Sequence, residues 1–364
     1  VTDPIDEPQG WQLGPFARRG EVLGEVPELG FRCPVLGERV AWAAKDVFNP
    51  GAVVRDGRVH LLVRAEDAVG RYAGTSRIGL ATSDDGLAFE LEPEPVIFPD
   101  DDAWQAWEWP GGCEDPRLVE SPDGGYVCTY TAFDGKHAHL FVATSDDLRH
   151  WHKHGPAFAG TPFVTHWSKS GAIVTEVRDG RLVAAEIDGR HWMYWGEGIG
   201  FAATSTDLVR WTPLTFDSGD RYLQHVPDAP PGRLPWALHR VPTGPRSLRP
   251  VLFPRRHRFD QQLVEPGPPA VRTDDGVVLV YNGAGPDGYE PGQALFDAHD
   301  PAAVIARTTR PFLRPETAGE QHGQVDQVCF AQSLVLFGDE WLLYFGMADS
   351  RIGCAAAPAS PSDS

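Results

Sequence analysis

IGLATSDDGLAF (78–89), LFVATSDDLRHW (140–151) and IGFAATSTDLVRW (199–211) follow one pattern. In each, apolar and small residues alternate and then stop at a Ser/Asp cluster, as a strand does on entering a tight hairpin. Ala81, Ala143 and Ala203 occupy the same phase, at steps of 62 and 60 residues. GQALFDAHDP repeats the phase more weakly at Ala294, 91 residues further on, and IGCAAAP repeats it at Ala355, another 61 on. Five copies of one all-β unit are expected, and regular repeats of short strands fit a five-bladed β-propeller built as a single domain. The blades fall at roughly 45–100, 109–157, 166–213, 260–315 and 322–358. The stretched interval holds residues 217–258, rich in Pro and Arg and without period-2 alternation, which read as a long insertion loop. A β-sandwich or several small β-domains is the competing architecture.

The chain has 364 residues, 41% of them hydrophobic, enough for a substantial core. A formal net charge of −19 argues against nucleic acid or an anionic membrane as partner and leaves a neutral sugar open. Five cysteines without CxxC spacing predict neither a zinc ribbon nor a disulfide framework. No apolar run approaches the length of a membrane span, and with no cationic leader in view a cytoplasmic location is expected, although the chain starts at Val1. No cofactor or metal is expected: the histidines of KHAHLF and RHWHKH fit solvent-facing strand positions. GPDGYEPG reads as turn chemistry, and RRHR (255–258) as a solvated loop face. Trp104, Trp107 and Trp109 either stack on a sugar or pack between blades. A homo-oligomer is left open.

In a propeller the innermost strand of each blade lines the channel. FNPGAVV, EDPRLVE, KSGAIVT, VEPGPPAVRT and QVDQVCFAQSLV each open on polar residues and then turn apolar. Asn49, Asp115, Lys169, Glu265 and Gln327 therefore arrive at one phase of the repeat, as a sugar pocket requires. Strand alternation puts Asp115 and Arg117 on one face and Glu114 on the other. A cation beside Asp115 keeps its carboxyl ionised, which is awkward for a simple proton donor. The plainer reading is an Asp–Arg pair that ties two loops.

These motifs, with HLLVRAE, GCEDPRLV, KSGAI and YFGMADSRIGCA, resemble glycoside hydrolase family 130 from about residue 45 to 356. The resemblance implies a five-bladed propeller that acts on β-mannosides by inversion, as a phosphorylase or as a hydrolase. It makes Asp115 the catalytic acid, working through a hydroxyl of the bound mannose, with Asn49 and Asp349 holding the sugar. Arg64 and Lys169 match basic residues around the attacking group. The chain departs from the phosphorylase pattern: Trp195 and Gly196 stand where His and Arg follow a GKY-type run, Asn282 replaces the His of YHG, and no Arg lies between Arg149 and Arg178. A phosphate dianion needs clustered cations. Glu197 and Glu265 would instead repel it and could activate water, since inverting hydrolysis needs an acid and a base about 6.5–9.5 Å apart.

The expected activity is thus inverting hydrolysis of β-mannosides, with short β-1,2-linked manno-oligosaccharides as substrates. Asp115 is the acid, Glu197 or Glu265 the base, and Asn49, Arg64, Arg117, Lys169, Asp349 and Asn282 shape the site. A phosphorylase, a retaining five-bladed glycosidase and a non-catalytic carbohydrate-binding propeller are the competing readings. In structural terms Glu265 would only accept backbone N–H groups, Glu197 would end a hairpin, and Lys169 and Arg64 would be their counter-ions.

Overall fold

The Ser-x-Asp turns are built alike. Ser83 Oγ accepts the Gly86 N–H at 2.9 Å while Asp85 Oδ1 accepts those of Leu87 and Ala88. Ser145 and Asp147 do the same for residues 148–150, and Ser205 and Asp207 accept the N–H groups of residues 207, 209 and 210. Short polar side chains that satisfy turn backbone are what end these strands. The computed structural model describes residues 10–26, 28–68, 74–216 and 247–359.

Strands pair antiparallel with their sequence neighbours in successive runs. The first run is Asp46–Arg55, Arg58–Glu66, Ser76–Ser83 and Glu90–Leu91. The second is Gly112–Glu120, Tyr126–Phe133, Ala138–Ser145 and His152–Pro156. In the third, Ala172–Arg178 pairs with both Arg181–Ala184 and Arg190–Trp195, and Gly200–Ser205 and Thr212–Pro213 follow. The fourth opens on Leu263–Pro266 and Ala270–Thr273, then runs through Gly276–Gly285, Gly288–Phe296 and Val304–Arg307. Cys329–Phe337, Glu340–Met347 and Arg351–Pro358 come last. Ala81, Ala143, Ala203 and Ala294 lie on the strand before the last of their run and Ala355 lies on Arg351–Pro358, and all five are fully buried. The only described helices are two four-residue pieces, Gln105–Glu108 and Ala318–Gln321.

The apolar cores lie between runs. Leu62, Leu80, Tyr130 and Phe141 fill the space between the first and second, and Val59, Leu61, Leu342 and Tyr344 that between the last and first. The Tyr344 hydroxyl also donates to Gly86 O at 2.8 Å. The arrangement is all-β and propeller-like. Among the described residues no helix is long and apolar enough to cross a membrane, and all five cysteines are buried and free.

Three expectations change. The last run gains a strand from the other end of the chain: Ala17–Leu23 pairs with Arg351–Pro358, covering its edge. Of the 217–258 loop, residues 217–246 lie outside the described residues, and Pro250–Leu252 is a strand on Gly200–Ser205. Arg255 of RRHR is not solvated. It reaches the fully buried Asp260, which also accepts from Arg307 at 2.6 Å and from Tyr281 Oη at 2.8 Å.

Asp260→Ala leaves two part-buried guanidinium groups uncompensated. A loss of about 3–5 kcal/mol is expected from denaturant unfolding at unchanged slope. A loss below about 1 kcal/mol would mean that water replaces the carboxylate.

Candidate active site

The first strands of the runs open on unusual backbone. Asn49 has φ 46° and Asp115 φ 49°, and register shifts between Phe48 and Gly51 and between Glu114 and Arg117 mark a bulge at each. Asn and Asp tolerate the left-handed region, and Pro50 and Pro116 have no N–H to lose at a bulge. Asn49 Nδ2 donates to Asp115 Oδ1 at 3.0 Å. In the third run the left-handed residue is Ser170 (φ 62°), one position after Lys169. In the last run Gln327 is left-handed (φ 61°), and the strand bulge falls further on, at Gln332. Gln332 is buried and donates to Pro116 O at 3.0 Å.

Arg64 holds the acids of the first two runs. Its Nη1 donates to Asp115 Oδ1 at 2.9 Å, its Nη2 to Glu66 at 2.8 Å and to Glu114 at 3.1 Å, and its Nε to Ser76 Oγ at 3.0 Å. Lys169 Nζ lies 3.7 Å from Asp115 Oδ2. Burial opposes ionisation of Asp115, but Arg64, Lys169 and Asn49 outweigh it and hold the carboxyl well below the usual range.

Two expectations about this strand are corrected. Arg117 is not the cation that faces the Asp115 carboxylate. Its Nε and Nη2 donate to Gly267 O (2.6 Å) and Pro266 O (2.8 Å), and its Nη1 to the Asp115 backbone carbonyl (3.4 Å). Nor does Glu114 point away, since it shares Arg64 with Asp115. The bulge breaks the alternation that would have separated them. Burial pushes the Glu114 carboxyl up, against the pull of Arg64 and Lys169.

Glu197 and Glu265 join this cluster. Gly198 and Val264 form an antiparallel bridge, which makes Glu197 and Glu265 the next pair opposite each other. Glu197 sits between left-handed Gly196 (φ 116°) and Gly198 (φ 90°); a Cβ on Gly196 would lie 2.4 Å from Ile199 O. The Gly196 N–H donates to Lys169 O at 2.9 Å, and Trp167 Nε1 donates to Glu197 Oε2 at 2.8 Å. Glu265, 4% exposed, accepts from Ser170 Oγ. Its carboxyl is pushed up to about 7 by burial and then by Glu197, against Lys169. Burial would lower Lys169, but Glu197, Asp115, Glu114 and Glu265 together drive it well above its ordinary value.

Asp349, left-handed at φ 52°, faces the same group: burial pushes its carboxyl up to about 6, with Arg64 pulling down and Asp115 pushing up. Its loop is tied by Gln324 Nε2, which donates to Asp349 O (3.1 Å) and Glu66 Oε2 (2.9 Å). Asn282 does not match its expected sugar contact. Its Nδ2 donates to Ala331 O (2.9 Å) and its Oδ1 accepts the Ala331 N–H (2.8 Å), so it clamps the fourth run to the last. Trp104 and Trp107 pack edge-on or tilted against Phe141 and His139, as blade packing.

Sequence reasoning missed Glu66, Trp167, Ser170 and Tyr289. Trp167 and Ser170 flank Lys169, a signal available but unused. Tyr289, in the stretch read as turn chemistry, is on strand Gly288–Phe296, and burial and then Glu265 and Glu197 raise its phenol. Among the described site residues the guanidinium N–H groups of Arg64 and Arg117 point to carboxylates, a hydroxyl and carbonyls. The carboxyls grouped around Arg64 and Lys169 are close enough to exchange protons, and the guanidinium groups are already engaged.

A family model described as beta-1,4-mannooligosaccharide phosphorylase matches residues 35–360. A solved structure presented as "The GH130 family of mannoside phosphorylases contains glycoside hydrolases that target beta-1,2 mannosidic linkages in Candida mannan" is 41% identical. The match covers 99% of this chain and 100% of that one, at a TM-score of 0.86. A glycosyl hydrolase from Bacteroides ovatus is 39% identical over 98% of this chain and 99% of that one, also at 0.86. The 1,2-beta-oligomannan phosphorylase of Thermoanaerobacter sp. (strain X514) is 29% identical over 86% of this chain and 90% of its own.

Glu265 binds its proton more tightly folded, at about 7, than unfolded, at about 4.3. Its contribution is complete below about pH 4 and is lost as pH rises through about 7. Glu265→Gln keeps a neutral group there. Melting curves from pH 5 to 9 are expected to show the variant gaining on the wild type by roughly 3 kcal/mol as pH rises. Parallel curves would contradict the buried, proton-holding Glu265.

Proposed function

The chain belongs to glycoside hydrolase family 130, and on that premise we propose that it is an inverting β-mannoside hydrolase acting on β-1,2-linked manno-oligosaccharides. In this reading each antiparallel run is one blade of a five-bladed, single-domain propeller, and the sugar sits where the first strands open. The observation that carries the proposal is the set of carboxylates around Lys169: Asp115, Glu114, Glu197 and Glu265 all raise its affinity for a proton. A phosphorylase needs the reverse balance, with cations free to clamp a dianion.

Asp115 is the acid and acts through a mannose hydroxyl. Held ionised when the site is empty, it draws its proton from Glu114 or Asp349, the neighbours whose carboxyls are pushed up. Asn49 and Asp349 hold the sugar, and Arg64 and Lys169 fix the acids. The pair Glu197 and Glu265 supplies the base. Arg117 and Asn282 serve as scaffold. Support also comes from the relatives: the solved structures described in hydrolase terms are 39–41% identical, whereas the oligomannan phosphorylase is 29% identical.

The test is β-1,2-mannobiose followed by NMR with and without phosphate. The α-anomer of mannose is expected first, at a rate phosphate does not change, and Asp115→Asn is expected to lower kcat by about 10²–10⁴-fold. Mannose 1-phosphate formed only in the presence of phosphate would overturn the proposal in favour of the phosphorylase.

A further inference from the structure

We infer that Trp167 is a positioning residue for the catalytic base: its indole N–H aims Glu197 at the attacking water. The inference rests on the hydrolytic reading above. Residues 167–170 form a strip pinned from behind. The Ser168 N–H donates to Ala138 O at 3.0 Å, and Ser168 Oγ accepts the Leu140 N–H at 2.9 Å. From this strip Trp167 Nε1 donates to Glu197 Oε2 at 2.8 Å, Lys169 Nζ faces Asp115 Oδ2 at 3.7 Å, and Ser170 Oγ donates to Glu265. One short segment thus touches Glu197, Asp115 and Glu265.

The two glutamates differ in access. Glu265 is 4% exposed, whereas Glu197 is half-buried and open to water. Trp167 occupies Oε2 and so fixes the plane of the Glu197 carboxylate, which leaves Oε1 to receive the proton. In the step, water forms its bond to the anomeric carbon and passes a proton to Glu197. The glycosidic C–O bond breaks, and its oxygen takes the proton relayed from Asp115, so that one water is consumed for each bond cleaved. Among the described residues, Glu197 acts on Lys169 from the strip and on Glu265 and Tyr289 from the fourth run.

Trp167→Phe keeps a ring and removes the donor, and Trp167→His restores a ring N–H. For Trp167→Phe, kcat on β-1,2-mannobiose is expected to fall about 10–100-fold with little change in KM. Trp167→His should recover part of the lost kcat. Should Trp167→Phe prove too unstable to assay, Trp167→Leu, which has no side-chain donor, carries the same expected fall in kcat at little-changed KM. A wild type that does not hydrolyse the disaccharide removes the hydrolytic reading itself. A wild type that does, beside a donor-less variant with unchanged kcat, overturns the role of Trp167 alone.

Discussion

The half-buried ammonium of Lys169 is the group on which the rest of the site depends. An isolated carboxylate cannot be buried without a partner or a proton, and here Asp115, Glu114, Glu197 and Glu265 all lean on one lysine. One cation cannot neutralise them all. Arg64 takes part of the excess by holding Asp115, Glu114 and Glu66, and a retained proton on Glu265 takes more. A pocket balanced in this way is stable without an anion.

The backbone pays for this arrangement in left-handed residues. Asn49, Asp115, Ser170 and Asp349 all have positive φ, and a non-glycine residue there costs about 1–3 kcal/mol. The strain is held by scaffold contacts from the neighbouring runs. Arg117 grips the carbonyls of Pro266 and Gly267, Asn282 clamps Ala331, and Gln332 reaches Pro116. Conspicuous polar residues near the axis thus divide into those that face the pocket and those that fix the strands carrying them.

Much of this was legible in the sequence. The alanine phase found one fully buried strand position in every run, and the Ser-x-Asp turns marked where three of those strands stop. The same phase brought Asn49, Asp115, Lys169 and Glu265 together. What sequence alone missed has a physical cause in each case. Alternation failed at Glu114 and Arg117 because a one-residue bulge reverses the face. Asn282 looked like a ligand because nothing local shows that an amide is spent on a strand 49 residues away. The strand Ala17–Leu23 carries none of the repeat's pattern, since it completes a run begun more than 300 residues later. Trp167 was overlooked in favour of a denser Trp cluster that packs away from the site.

Hydrolysis and phosphorolysis differ in the nucleophile, so the proposed hydrolytic reading rests on the balance of charge beside Lys169. In that reading carboxylates there disfavour a dianion by Coulomb repulsion at short range. Calorimetric titration of the protein with inorganic phosphate at pH 7, with mannose present to fill the sugar site, tests this balance most directly. The account predicts no saturable heat into the tens of millimolar range. A low-millimolar phosphate site that Lys169→Met abolishes would contradict it.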